Sequence, residues 1–413
     1  MKASRRAVRA VPTPALLRAL LVSLTVALGA TTAIMAFIAG RMARRVVTPA
    51  RRLADARILD VDVAAQTITL ARTADTALPG RYGLITSGSV DYLKVGSVLS
   101  ASDESVTRKL LTHIGADARL SPDAAFSGWY FDHPEQLHLP FESELVGAAV
   151  GPCPAWIFPP ISSDATSDTW VIHVHGRGTT RAECLRAVPL FHGLGITSMI
   201  VSYRNDGAAP RSRSGTYALG ATEWRDVDAA IGVARRRGAR RVIIMGWSMG
   251  GAIALQIALH SAHRDLIGGI VLDSPVIDWR RVLDFHARQL GLPPSVASLA
   301  IGALGAEWAT PLTGSDARIP FERLDVVARA GELRHPVLIL HSDDDGFVPS
   351  DASHDLVAAR PDLVELQVFD VARHAKLWNY DQERWAAAIT DWLRRHGLTP
   401  QPIAGRGRSR VEE

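Results

Sequence analysis

Apolar and polar positions follow three different patterns along the chain, and each pattern predicts a different kind of element. Residues 19–40 carry no charge, and a run of this length can cross a bilayer as a helix. Residues 57–113 contain short stretches with a period of two, which is typical of half-buried strands. From residue 129 to residue 398, short apolar runs alternate with helical segments, which predicts a parallel sheet with helices on both faces.

Within the region 129–398, the apolar runs predict an entry hairpin and then a series of buried strands, at residues 144–150, 155–158, 170–175, 197–203, 242–245, 269–272, 336–341 and 363–369. The segments between them predict helices at residues 180–192, 217–236, 252–259, 350–359 and 382–396. Residues 278–330 predict helices and loops without a strand. This insertion lies where a cap over an active site would be placed.

The uncharged run near the N-terminus predicts a single uncleaved membrane anchor, which implies a bilayer as a partner and a location in the cell membrane. A basic tail at 1–18 precedes it and a basic linker at 41–56 follows it. A cleaved secretory signal is the alternative, although its apolar region is normally shorter and no clear Ala-x-Ala site is present. Arginines flank the run on both sides, so the positive-inside rule gives no orientation.

The bulk composition changes this picture little. The chain has 413 residues, of which 47% are hydrophobic and 21% charged, as in a globular protein with a large core. Its net charge of +4 comes largely from basic ends, including a tail at 399–413 that we expect to be disordered. Aromatic residues are not interleaved with these charges, so we expect no nucleic-acid partner.

The two cysteines, Cys153 and Cys184, are the remaining compositional signal. They show no metal-ligand spacing, so a structural zinc site is not expected. Two cysteines could form one disulfide bond in an oxidising compartment, or both could stay free. The sequence leaves this choice open.

The motif with the clearest chemistry is Gly246-Trp247-Ser248-Met249-Gly250, between a predicted buried strand and a predicted buried helix. Strand, sharp turn and helix are the context of a nucleophile elbow. The two glycines lack the Cβ atoms that would clash where strand and helix approach. The serine Oγ would then lie above the sheet edge, near the positive end of a helix. Because so short a motif also arises by chance, its partners must be found downstream.

A serine nucleophile needs a histidine to accept its proton and an acid to orient that histidine. Both should lie in loops at the carboxyl ends of later strands. His374 follows the last predicted strand and is the predicted base. The predicted acid is Asp345, with Asp343 and Asp344 before it as turn formers and Asp273, after the preceding strand, as its rival.

A tetrahedral intermediate needs two backbone donors aimed at its oxyanion. We expect these to be the N–H groups of Met249, directly after the serine, and of Arg177, in the loop His175-Gly176-Arg177-Gly178. The glycines of this loop let the backbone approach a substrate. The Arg177 side chain either points to solvent or binds an acidic substrate group, and the sequence does not decide between the two.

Together these motifs resemble the α/β-hydrolase fold superfamily, most closely its serine-aminopeptidase-like and acyl-peptidase-like branch. The resemblance covers residues 129–398. This sequence departs from the family pattern at Ser342 and Arg177, and these two differences bear on substrate preference. It implies a mostly parallel, doubly wound sheet with a helical cap at 278–330. The motifs that carry it lie at residues 174–178, 203–204, 223–227, 246–251, 341–349 and 373–374.

These predictions combine into a membrane-anchored serine hydrolase that cleaves a carboxylic ester through an acyl-enzyme on Ser248. Its substrate would be a small-molecule or lipid-like acyl compound, and no metal or cofactor is required. A peptidase of the serine-aminopeptidase type is the alternative within the same chemistry. A non-catalytic hydrolase-like binding module is the alternative from another class, although no member of the predicted triad is missing. We assign no chemistry to the β-rich region 57–113.

Overall fold

The computed structural model describes residues 14–49, 54–161 and 168–400. The predicted tails therefore lie mostly outside the described residues, as does part of the predicted linker. The described chain forms a long N-terminal helix, a small closed barrel and an eight-stranded sheet covered by helices. This is the α/β architecture that the alternating pattern predicts.

The N-terminal helix α1, Pro14–Val47, is longer than the predicted anchor 19–40. Residues 41–47, predicted as part of a linker, continue the helix because they pack against the rest of the protein. Ala39, Ala43 and Val47 recur every fourth residue and are buried, so they form one packed face. By length and composition, this helix could span a membrane, although a signal sequence has the same properties.

The barrel follows α1 and has six antiparallel strands in the order β1-β2-β5-β4-β3-β6. Strand β6 closes it by pairing with both β1 and β3. The β-rich region thus extends to Ser127 rather than ending at residue 113. The sequence did not predict β6, because only Phe126 in that strand is a strong strand former. The strands are β1 Ala56–Asp62, β2 Thr67–Ala71, β3 Tyr82–Ile85, β4 Tyr92–Ala101, β5 Ser105–Leu110 and β6 Asp123–Ser127.

The large sheet has the strand order β14-β13-β12-β11-β9-β10-β8-β7. The predicted hairpin forms the antiparallel strands β7 and β8, and the remaining strands run parallel. The strands are β7 Glu142–Ala148, β8 Gly151–Phe158, β9 Thr169–Val174, β10 Thr197–Val201, β11 Arg241–Trp247, β12 Ile267–Asp273, β13 Val337–Ser342 and β14 Val364–Phe369.

Helices cover both faces of this sheet. Alternate residues of its central strand β11 therefore pack into two separate hydrophobic clusters. Ile244 packs in one cluster with α3 and α4, and Ile243 packs in the other with α2 and α11. The helices after α1 are α2 Val188–Gly193, α3 Trp224–Arg236, α4 Met249–His260, α5 Trp279–Gln289, α6 Pro294–Leu304, α7 Thr310–Thr313, α8 Phe321–Leu324, α9 Asp351–Ala359, α10 Leu377–Tyr380 and α11 Gln382–Arg395.

The predicted cap insertion forms α5 to α8 between β12 and β13, with no strand in residues 278–330. The Asp278 side chain caps α5 by accepting a hydrogen bond from the Arg280 amide at 2.8 Å. The cap shares one hydrophobic cluster with the sheet and with Ala43 and Val47 of α1. The end of α1 is therefore part of the hydrolase core. Cys153 and Cys184 are buried free thiols.

Candidate active site

The sharp turn between β11 and α4 places Ser248 at the carboxyl edge of the sheet. Ser248 has φ 52° and ψ −117°, a backbone conformation that is strained for a residue with a side chain. A Cβ atom on Gly246 would lie 2.3 Å from the Gly250 carbonyl oxygen, and one on Gly250 would lie 2.1 Å from the Val174 oxygen. Only glycine fits at these two positions, because each faces backbone that cannot move aside.

The structure brings Ser248, His374 and Asp345 together in one hydrogen-bonded chain. His374 Nε2 lies 3.0 Å from Ser248 Oγ, and His374 Nδ1 lies 2.7 Å from Asp345 Oδ2. Both distances are those of normal hydrogen bonds. The imidazole can therefore take a proton from the hydroxyl while its other nitrogen donates to the carboxylate.

Asp345 is held as a carboxylate by several donors. Its Oδ1 accepts hydrogen bonds from the amides of Phe347 and Val348, both at 2.8 Å. Burial alone would raise the pKa of Asp345, but His374 and His341 outweigh burial and hold this pKa below its ordinary value. An ionised acid beside the imidazole stabilises the imidazolium that forms when the serine loses its proton.

The carboxylate of Asp273, the alternative acid, accepts its hydrogen bonds from residues other than His374. Its Oδ2 accepts from Trp385 Nε1 at 2.9 Å, and its Oδ1 accepts from the Ser274 hydroxyl at 3.0 Å. Burial raises the pKa of Asp273. The same Ser274 hydroxyl accepts from the Ala375 amide at 3.0 Å, so Asp273 supports the loop that carries the histidine without contacting its ring through a hydrogen bond.

The two expected oxyanion donors belong to backbone segments next to the serine. Met249 begins α4, and the first amides of a helix have no partner within it. In the other loop, a Cβ atom on Gly176 would lie 3.2 Å from Ser248 Cβ, so the backbone before Arg177 passes directly beside the serine. The assignment of the Met249 and Arg177 amides as oxyanion donors stays a prediction.

The loop that carries Arg177 is built from buried polar contacts. The Gly176 amide donates to Glu183 Oε2 at 2.9 Å, and the Tyr203 hydroxyl donates to the Gly176 oxygen at 3.0 Å. The His175 ring lies 3.1 Å from Asp206 and stacks on Tyr203. This network fixes the loop before any substrate binds.

The Arg177 side chain takes neither of the two positions left open by the sequence. Its guanidinium donates to the carbonyl oxygens of Arg45 and Thr48, at 2.9 and 3.1 Å. These carbonyls lie at the C-terminal end of α1, where a cation is favourable. Burial lowers the pKa of Arg177. The loop that carries Arg177 is therefore bound to the N-terminal helix, a contact between distant segments that no local pattern reveals.

Two residues of the site were not singled out in the sequence. The ring of Phe347 lies 5.1 Å from the ring of His374 and 4.4 Å from that of His286 on the cap helix α5. Burial and the neighbouring His374 lower the pKa of His286. Helical spacing made His286 resemble an ordinary helix residue, and only the folded cap brings it here.

Comparison with known proteins agrees with this architecture. The model of the Alpha/beta hydrolase family matches residues 171–388, more than half of the chain. A domain of unknown function (DUF8805) matches residues 57–127, nearly the span of the barrel. No curated protein matches the chain.

Similar solved structures include hydrolases of two kinds. An esterase of Pyrococcus furiosus, Pf2001, is 17% identical, with a TM-score of 0.50 over 64% of this chain and 96% of its own. A puromycin-hydrolyzing peptidase of Mycobacterium tuberculosis is 18% identical, with a TM-score of 0.47 over 81% of this chain and 46% of its own. At these identities, the likeness concerns the fold.

Proposed function

Because this chain belongs to the Alpha/beta hydrolase family, we propose that it is a serine hydrolase with Ser248 as nucleophile, His374 as base and Asp345 as acid. The observation that carries the proposal is the position of the His374 ring, within hydrogen-bond distance of both partners. A non-catalytic module would have no need for this arrangement on a strained turn.

The proposed reaction uses these contacts. His374 Nε2 takes the proton of Ser248 Oγ, which attacks the substrate carbonyl carbon. The amides of Met249 and Arg177 stabilise the oxyanion. His374 then protonates the leaving group, and an acyl-enzyme remains on the serine. Water, deprotonated by the same histidine, attacks the acyl carbon, and the carboxylic acid leaves as the serine regains its proton. Asp345 keeps the proton of the imidazole on Nδ1 throughout.

The proposed substrate is a carboxylic ester. An alkoxide is a better leaving group than an amide nitrogen, so an ester depends less on the proton that His374 supplies. The cap helix α5 places His286 against Phe347, whose ring lies beside that of His374, and these rings would give the acyl or alcohol part an aromatic wall. The anchor would keep the enzyme near lipid-derived acyl compounds.

A substrate panel tests this proposal. The full chain in detergent should hydrolyse p-nitrophenyl esters with kcat/KM at least about 100-fold above that for matched aminoacyl p-nitroanilides, a difference of about 2.7 kcal/mol in transition-state stabilisation. Graded acyl lengths would define the pocket. Equal or better cleavage of the anilides would indicate the peptidase instead, and failure on every substrate would favour the binding module.

We also propose that α1 is a retained membrane anchor. Its residues from Leu20 to Phe37 expose large apolar side chains, which water does not favour. At its other end, Val47 accepts a hydrogen bond from the Tyr217 amide at 2.8 Å and belongs to the hydrolase core. Cleavage of a signal sequence after Ala39 would remove a buried residue of this helix.

Membrane extraction tests the anchor. The intact chain should stay with membranes after alkaline carbonate washing and should be released by detergent. Replacing both Val26 and Leu28 with arginine should move it to the soluble fraction, since each arginine at the centre of a spanning helix costs about 3 kcal/mol. Arg18→Lys is the matched control and should stay bound. A mature chain that begins beyond α1 would contradict the anchor.

A further inference from the structure

We infer that the barrel, which matches a domain of unknown function, positions the loop that carries His374. This loop comprises residues 370–381 and includes the short helix α10. The barrel contacts it through residues 72–81, the strap between β2 and β3. The inference rests on the proposed function, because it assigns the barrel a role in the same reaction. Asp75 and Arg81 of the strap are positioning residues that act through the loop rather than on the substrate.

The first contact is an ionic one on either side of the histidine. Lys376 Nζ lies 2.5 Å from Asp75 Oδ1, and Arg373 Nε lies 3.7 Å from Asp75 Oδ2. The Lys376 side chain is only 6% exposed and that of Asp75 is 28% exposed. Ion pairs at such partly buried positions are only weakly screened by salt. A single barrel carboxylate thus holds the residues before and after His374.

The second contact joins the two backbones. The Asn379 side-chain amide donates to the Arg81 carbonyl oxygen at 2.8 Å, and the Arg81 amide donates to the Asn379 oxygen at 3.4 Å. A Cβ atom on Gly80 would lie 2.0 Å from the same Asn379 oxygen. The strap and the loop therefore touch where only glycine fits. The Arg81 guanidinium also bonds Gln382 and lies over the Trp378 ring at 5.2 Å.

The strap is fixed from inside the barrel by Arg108. Its buried guanidinium donates to the carbonyl oxygens of Thr76, Leu78 and Gly80, each at 2.8 Å. Burial lowers the pKa of Arg108 to about 10, so the group remains charged at neutral pH. A buried cation that satisfies three strap carbonyls gives the strap one defined shape. The barrel can thus present Asp75 and Arg81 in fixed positions.

The hydrolase core holds the other side of the same loop. The Ala375 amide donates to Ser274, and the Ala375 oxygen accepts from Arg186 at 2.8 Å. Ala375 has φ 51°, a strained conformation that persists only when its surroundings hold it. The loop is therefore held between the hydrolase core on one side and the barrel on the other. A displacement of the imidazole by about 1 Å can lower the rate by about 100-fold, so the barrel contacts bear on catalysis.

Substitution of Asp75 in the full chain tests the inference. Asp75→Asn should lower kcat about 10- to 100-fold with little change in KM or in melting temperature. Asp75→Glu, which keeps the carboxylate that faces both Lys376 and Arg373, should retain most of the activity that Asp75→Asn loses. Asp62→Asn is the matched control, because Asp62 accepts from the Ala65 amide in the β1–β2 turn and does not contact the loop. Its kcat should be that of the unmodified chain.

Hydrogen exchange separates this inference from the proposed function. Amides of residues 373–380 should exchange faster in Asp75→Asn than in the unmodified chain or in Asp62→Asn. Unchanged exchange and unchanged kcat would overturn the inference while leaving a Ser248-dependent hydrolase intact. An equal loss in Asp62→Asn would also overturn it, because the barrel would then act through stability alone. If Ser248→Ala kept full activity, the proposed function would fail, and exchange would still show whether the barrel holds the loop.

Discussion

Ser248→Ala is expected to lower kcat about 10⁵-fold or more, with KM and melting temperature nearly unchanged. The hydroxyl is the only atom group lost, and it is the proposed site of acyl transfer. The variant should fold, because alanine and serine tolerate the strained φ of 52° equally poorly. Steady-state hydrolysis of a p-nitrophenyl ester measures the loss, with thermal unfolding measured in parallel.

Ser350→Ala is the matched control for this prediction. It removes a serine hydroxyl from the same domain, where it donates to Asp343 at 2.7 Å and does not contact His374. We expect its kcat to stay within about twofold, as surface substitutions have small effects. A loss of less than tenfold in Ser248→Ala would mean that another residue carries the reaction.

Asp345→Asn is the second large effect, with an expected fall in kcat of about 10⁴-fold. An asparagine amide cannot hold the proton on His374 Nδ1, so the histidine would adopt the wrong tautomer. It would also provide no charge to stabilise the imidazolium. Because the pKa of Asp345 lies below its ordinary value, we do not expect its protonation to set the acid limb of the pH–rate profile.

The parallel variant Asp273→Asn distinguishes the two candidate acids. Asp273 bonds Trp385 and Ser274, so its loss should lower the melting temperature and reduce kcat about tenfold at most. The comparison uses kcat and thermal unfolding of both variants on the same ester. A larger loss of kcat in Asp273→Asn than in Asp345→Asn would transfer the role of acid to Asp273.

The sequence revealed the parts of the site that depend on local pattern. Gly246 and Gly250 flank the serine where backbone leaves no room for a Cβ atom, and such a requirement is visible as a motif. His374 and Asp345 could be placed because parallel strands bring their carboxyl ends to one edge. Among the neighbouring aspartates, Asp345 is the one whose carboxylate contacts the histidine. Its role as the catalytic acid remains a prediction.

What the sequence could not reveal depends on contacts between distant segments. The helical continuation of α1 past residue 40 is stabilised by packing of Ala43 and Val47 in the hydrolase core, and their basic neighbours instead suggested a linker. The pairing of Asp75 with Lys376 joins residues 301 positions apart. No periodicity encodes such a pair. The sequence of the barrel therefore could not predict a contact with the loop that carries His374.

The central claim is that Ser248 forms a covalent intermediate, and active-site labelling tests it most directly. A fluorophosphonate should modify the full chain once, and peptide mass spectrometry should place the adduct on Ser248. The label should disappear in Ser248→Ala and form much more slowly in His374→Ala, because the imidazole must take the serine proton. An adduct on another residue, or undiminished labelling of Ser248→Ala, would contradict the account.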